Sequence, residues 1–200
     1  MKEVILCKYG EVILKGANRS EFEAKMLKEL RRRAKRIGNF KIHYAQSTVF
    51  CEPLDEDSAE AIDEMTEQAK HVFGFVGVTR AIACEKNMDT ILEMVKKYIP
   101  ERLKGYKSFK ATAKRADKRF PLGSPEIAGE VGAAILEATG GKIKVDLHNP
   151  EIIVQVEIRE SLAYIHAGQE KGAGGIPVGT GGNGCILISG GIDSPVAAYM

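Results

Sequence analysis

The tightest constraint on this chain is the order in which extended and helical periodicities alternate over its first 84 residues. Residues 4–14 are rich in Val, Ile and Leu around Tyr9-Gly10 and read as a strand that turns at the glycine. Phe22, Met26, Leu27, Leu30, Ala34 and Ile37 then fall at helical spacing across 19–37, with the basic residues outward. Ser20 with Glu23 matches a capping box, and Gly38-Asn39 ends the helix. Two short strands, 41–45 and 48–51, join near Gln46-Ser47 and precede a helix at 58–73 and a strand at 76–84. The succession β-α-β-β-α-β closes into one compact sheet.

That succession is the ferredoxin-like split unit, and it is expected over residues 1–78. A second α/β unit follows over 79–168, although a sequence profile could start it near 65. It has a helix at 89–103 and a strand at 108–115, where Phe109, Ala111 and Ala113 alternate with Lys110, Thr112 and Lys114. Ser124 as N-cap and Pro125 at the first helical position open another helix to about 138, and Gly140-Gly141 stops it. Strands are expected at 142–146, 152–159 and 163–167. Residues 168–184 hold eight glycines and Pro177, the composition of a flexible linker (169–184). Cys185-Ile186-Leu187-Ile188 then reads as a short apolar strand, and Pro195 starts a helix that runs to Met200. One strand and one helical turn cannot cover a parallel sheet, so the chain reads as cut inside a third domain at 185–200. The fold class is α/β (α+β): two compact units and the first strand–loop–helix of a truncated parallel sheet.

No tract of about 18 apolar residues exists, which excludes a membrane-spanning helix. The amino end, with an acid beside a short apolar run, is no secretory signal, and a cytoplasmic setting is expected. Cys7, Cys51, Cys84 and Cys185 show no CxxC spacing and read as spare thiols rather than zinc ligands. The net charge of +2 conceals two basic blocks. One is Lys25, Lys28, Arg31, Arg32, Arg33, Lys35 and Arg36 against Glu29 alone; the other, 102–119, has eight bases and one acid, Asp117. An anionic polymer is therefore a candidate partner.

The second block carries the nucleic-acid surface expected here. Its strand exposes Lys110 and Lys114, and the next residues add Arg115, Lys118, Arg119 and the stacking-capable Phe120. Such a face grips phosphates and 2′-hydroxyls or stacks on an unpaired end. The helix bearing Arg31, Arg32, Arg33 and Arg36 is the weaker candidate, since a plain solvent face has the same spacing. Gly179, Gly181 and Gly184 fit G-x-G-x-x-G but precede a strand, which is the wrong context for a dinucleotide site. The loop Ser189-Gly190-Gly191-Ile192-Asp193-Ser194, by contrast, follows an apolar run and opens a helix. Its backbone N–H groups suit a phosphate, and Ser189 and Ser194 add hydroxyl donors. Asp193 suits Mg²⁺ or a helix cap.

Ser189-Gly190-Gly191-Ile192-Asp193-Ser194 resembles the PP-loop of the ATP pyrophosphatases. Tyr9-Gly10-Glu11-Val12-Ile13-Leu14-Lys15-Gly16-Ala17-Asn18-Arg19 with Phe22-Glu23 resembles the amino-terminal ferredoxin-like domain of the tRNA 4-thiouridine synthetases. The stretch from Phe109-Lys110-Ala111 through Arg115 to Phe120-Pro121 resembles the hallmark of their THUMP domain, an RNA-binding module. The resemblance implies a tRNA sulfurtransferase. In that family ATP adenylates O4 of uridine 8, and a persulfide from a cysteine desulfurase replaces AMP to leave 4-thiouridine. It further implies sulfur supply to the thiamine thiazole, recognition of the acceptor stem and 3′ end, and a homodimer. Gly190, Gly191, Asp193 and Ser194 would hold the ATP phosphates, with Leu187 and Ile188 beside the adenosine and Asp193 catalytic. None of the four cysteines stands where the family's sulfur-carrying cysteine would, so these 200 residues alone are expected only to bind tRNA. The alternatives are an RNA-binding module without chemistry and another PP-loop tRNA-modifying enzyme.

Overall fold

The structure is a computed structural model that describes residues 2–199; Met1 and Met200, the latter the end of the expected last helix, lie outside the described residues. The first half runs β1 (Lys2–Tyr9), α1 (Arg19–Ile37), β2 (Phe40–Ala45), β3 (Thr48–Pro53), α2 (Glu56–Glu60), α3 (Ile62–Lys70) and β4 (Phe75–Glu85). The second half runs α4 (Met88–Arg102), β5 (Ser108–Arg115), α5 (Ser124–Ala138), β6 (Lys144–Val145), β7 (Ile152–Ile158) and β8 (Leu162–Ala167). A short β9 (Glu170–Lys171) and α6 (Asp193–Tyr199) follow. No helix among the described residues is long and apolar enough to cross a membrane.

Helical spacing decides what α1 buries. Met26, Leu27, Leu30 and Ala34 pack on Ile5 and Cys7 of β1, on Val49 and Cys51 of β3, and beside Ile62, Met65 and Ala69 of α3. The second core repeats the arrangement, with Ile91, Val95 and Ile99 of α4 and Ile127, Val131 and Ile135 of α5 on Phe109, Val154 and Val156. β4 joins the halves because it is long enough to pair with both: Val4 faces Ala81 on one side, and Ile82 faces Ile165 on the other. One sheet results, in the order β2-β3-β1-β4-β8-β7-β5-β6, with β9 beside β4.

The face opposite the helices has its own small cluster, Val4, Leu6, Phe50, Ala81 and Tyr164. It is shielded by curvature. Lys8 on β1 and Glu157 on β7 are separated by two strands and lie out of register, so a flat sheet would hold them more than about 14 Å apart. Their side chains nevertheless meet at 2.5 Å. The sheet curls until its helix-free face closes on itself.

Several local expectations change. After Tyr9 the chain does not continue as a strand; it forms two 3₁₀ turns, Glu11–Leu14 and Gly16–Asn18, and Val12 is buried under α1. The Ser20–Glu23 capping box does not form, because Glu23 accepts instead from Arg19 Nε at 2.7 Å. The expected 58–73 helix breaks at Ala61 into α2 and α3, and Asp55 caps α2 by accepting from the Ser58 N–H at 2.9 Å. Ser124 lies inside α5, and the N–H of Gly123 before it is held by Glu126 at 2.5 Å. Residues 185–188 form no strand: Leu187 is 92% exposed, because no neighbouring strand is there to pair with it.

The first part of the glycine-rich stretch is a strap, not a free linker. β9 pairs with Gly77 and Val78 of β4, and Ala173 N and Gly174 N donate to Lys70 O and Phe75 O at 2.8 Å each. Gly172 shows why a glycine is needed, since a Cβ there would sit 2.3 Å from the carbonyl oxygen of Phe75. Gly172→Ala should therefore free the strap at a cost of about 1–3 kcal/mol in stability. Limited proteolysis should then cut near 170–178, a region resistant in the parent chain.

Candidate nucleic-acid interface and nucleotide loop

The curled face encloses a cleft of about 760 Å³ between the halves, with Lys8, Tyr9, Gln46 and Ser47 on one wall and Lys114, Arg115, Glu157 and Arg159 on the other. At its centre Glu157, 2% exposed, accepts from Lys8 Nζ at 2.5 Å and from Arg159 Nη2 at 2.5 Å, with His166 Nε2 at 3.5 Å. Burial alone would raise the Glu157 carboxyl. The nearby His166 ring and the charges of Lys8 and Arg159 more than offset it and hold it well below the usual carboxylate range. Burial pulls the Lys8 ammonium down against the attraction of the same carboxylate. Arg159 extends the clasp to the other half, donating to Gln46 Oε1 at 2.8 Å and Thr48 Oγ1 at 3.1 Å. One buried acid thus faces three basic side chains, and Lys114 stands exposed at the rim.

The residues expected from the sequence divide. Lys114 and Lys118 are exposed side chains that reach into solvent. Lys110 is half-buried and donates to Leu147 O at 3.0 Å. Arg115 holds the following loop, its Nη1 donating to Phe120 O at 2.9 Å and Leu122 O at 2.8 Å. Arg119 is 80% exposed and rests on Asp117, with Nε 3.0 Å from Oδ1. Hydrogen bonds from Arg119 and from Lys86 hold Asp117 well below the usual carboxylate range. Phe120 is corrected: at 5% exposure its ring belongs to the second core and is not a stacking face.

On α1 much of the charge is paired within the helix. Arg32 and Arg33 both bond Glu29, at 2.7 and 2.8 Å, and the Arg32 hydrogen bond leads in drawing that carboxyl down to about 2. Arg31 and Arg36 remain exposed on the solvent side, away from the cleft. Sequence reasoning missed Lys8, Gln46, Ser47, Glu157 and Arg159. The one signal for the acid among them is a Glu at position 157 inside the otherwise apolar run of β7.

The loop 189–194 closes on its own hydroxyls. Ser189 N donates to Ser194 Oγ at 3.1 Å, the two Oγ atoms lie 3.3 Å apart, and Gly191 N approaches Ser189 Oγ at 3.4 Å. Nothing crowds Gly190, where an added Cβ would meet no atom within 4 Å. The loop and the flanking Leu187 and Ile188 are solvent-facing, and Asp193 is the exposed first residue of α6. Asp193 is its sole carboxylate, and among the described residues no group of three or more potential metal ligands gathers.

Comparison with known proteins accounts for each part of the chain in turn. Residues 4–79 match the ThiI ferredoxin-like domain, 85–167 the THUMP domain, and 179–200 the thiamine biosynthesis protein ThiI. A probable tRNA sulfurtransferase of Alkaliphilus metalliredigens (strain QYMF) is 42% identical over 202 residues, covering all of this chain and 50% of that protein. One from Thermoanaerobacter sp. (strain X514) is 43% identical with the same coverage. The chain resembles the tRNA sulfurtransferases from end to end. It spans about half the length of these curated relatives. The crystal structure of a 4-thiouridine synthetase–RNA complex with bound ATP superposes with a TM-score of 0.78 at 33% identity, over 100% of this chain and 49% of that one. That of PH1313 from Pyrococcus horikoshii gives 0.74 at 28% identity, over 90% and 59%. The ferredoxin-like and THUMP assignment, and the mixed α/β architecture, agree with the sequence reading.

Proposed function

We propose that this chain is the tRNA-gripping part of a tRNA sulfurtransferase that makes 4-thiouridine at position 8 of tRNA. The observation that carries the proposal is the cleft, in which both halves of the curled sheet place cations around one buried acid. The acceptor stem and its 3′ tail would lie along the exposed cations Lys114, Lys118 and Arg119. The 4-thiouridine synthetase neighbour was solved with RNA and ATP, which supports both ligands for this family. In a protein with a complete nucleotide-binding domain, the N–H groups of 190–194 would hold ATP phosphates while uridine O4 is activated. Leu187 and Ile188 would flank the adenosine. A persulfide passed on by a cysteine desulfurase would supply the sulfur, and the same sulfur route would serve the thiamine thiazole. A homodimer in the cytoplasm belongs to the same reading.

Removing one cation that neutralises a phosphate lowers the salt slope of binding by about one unit. Replacing Lys114, Lys118 and Arg119 with alanine should therefore weaken tRNA binding and flatten its salt dependence by about two to three units. Arg115 is left in place because its guanidinium holds the 120–122 loop. Unchanged affinity and slope in a folded variant would move the RNA to the Arg31–Arg36 face of α1.

A further inference from the structure

Where α1 meets the continuing strap, the helix side of the sheet carries a second cavity. It is a groove of about 470 Å³ between α1 and the turn that leads into β4, closed on its third side by Pro177 and Val178. That volume lies in the range of small-ligand pockets. Its floor is apolar, formed by the buried side chains of Met26 and Val72. Its rim is apolar too, yet open to water: Phe73 is 47% exposed and Val178 79%. Large apolar side chains grouped in solvent around one concavity mark a contact surface.

The charge beside that floor is mostly of one sign. Lys25, Lys28, Arg32 and Arg33 of α1 line the groove, and Glu29 is the one acid among its lining residues. Glu29 accepts from both arginines, at 2.7 Å from Arg32 and 2.8 Å from Arg33. Lys25 pairs with Glu21 at 3.0 Å and donates to Gly179 O at 2.7 Å, which ties the end of the strap to the helix. Lys28 is exposed and forms no ion pair among the described residues. Four cations against two carboxylates leave two positive charges in excess.

An exposed aromatic ring beside excess positive charge complements a small molecule that joins a flat ring to a phosphate. We propose that this groove binds a free nucleoside monophosphate, with its base against Phe73 and Val178 and its phosphate on Lys28 and Arg32. Any base offers a π face to an aromatic side chain, and guanidinium and ammonium groups suit phosphate oxygens. Because Pro177 and Val178 belong to the strap, the bound nucleotide joins the end of the strap to α1. The groove shares no lining residue with the cleft, so it can fill whether or not the cleft is occupied.

Calorimetric titration of the chain with AMP, adenosine and inorganic phosphate tests the assignment. AMP should bind at least about tenfold more tightly than either part alone, since only AMP meets both the ring and the cations. Lys28→Ala with Arg32→Ala should weaken AMP about tenfold or more and leave adenosine unchanged. Phe73→Ala should weaken AMP and adenosine alike, about tenfold, and leave phosphate unchanged. All three side chains are exposed, so the melting temperatures should stay near that of the parent chain. Full AMP affinity in the Lys28, Arg32 variant would put the nucleotide at the 189–194 loop and overturn the proposal, as would a parent chain that does not bind AMP. A stem-loop RNA that displaces AMP, and itself binds more weakly to the same variants, would make the groove part of an RNA surface and overturn it equally.

Discussion

Glu157→Gln should cost the folded chain about 3–5 kcal/mol, the largest stability loss expected of any single polar substitution here. The carboxylate is buried, and it is the counter-charge for Lys8 and Arg159, which come from opposite halves of the sheet. Without it two cations face each other in a water-poor space, and the halves lose the clasp that sets their angle. The pH dependence has a definite sign. Glu157 is held below its unfolded value, so its contribution is present above about pH 4.3 and is lost as the pH falls from there through the folded value. Urea unfolding of both forms between pH 3 and pH 7 checks this. The gap between them should be full at pH 7 and should narrow on acidification, and a gap independent of pH would show that the clasp is not ionic.

Asp193→Ala, placed in a protein that joins this chain to a complete nucleotide-binding domain, should reduce thiolation by about a hundredfold or more. Affinity for tRNA should hardly change. The separation follows from position. Asp193 is exposed at the start of a seven-residue helix and takes no part in either core, whereas the cleft lies on the curled sheet. If the carboxylate is only a helix cap, its loss costs about 1 kcal/mol of local stability and leaves the rate near normal. Single-turnover thiolation beside tRNA binding separates the two roles.

Whatever depends on local periodicity is legible in the sequence. The bounds of α1 and β5 follow from their apolar spacing, because each element buries one face and the pattern repeats within a few residues. Phe120 misleads for the same reason: following a basic run, it looks like part of an RNA surface, yet Arg115 folds the loop so that the ring turns into the core. The strap at 170–174 reads as a linker because glycine composition does not distinguish freedom from close approach, and Gly172 is there for the latter. The cleft itself is hidden. Lys8 and Glu157 are 149 positions apart, and only the curl of the sheet through β4 and β8 brings them together. The loop at 189–194 is legible as a motif, since its spacing of glycine and hydroxyls is local, but the strand expected before it needs neighbours that these residues do not supply.

The decisive measurement is the 4-thiouridine content at position 8 of an unmodified tRNA. The tRNA is incubated with ATP, a persulfide donor and a protein that carries this chain with a complete nucleotide-binding domain. Thiolation should require ATP, and it should fall with tRNA affinity when Lys114, Lys118 and Arg119 are replaced by alanine. No 4-thiouridine at that position, or a rate indifferent to those three cations, would contradict it.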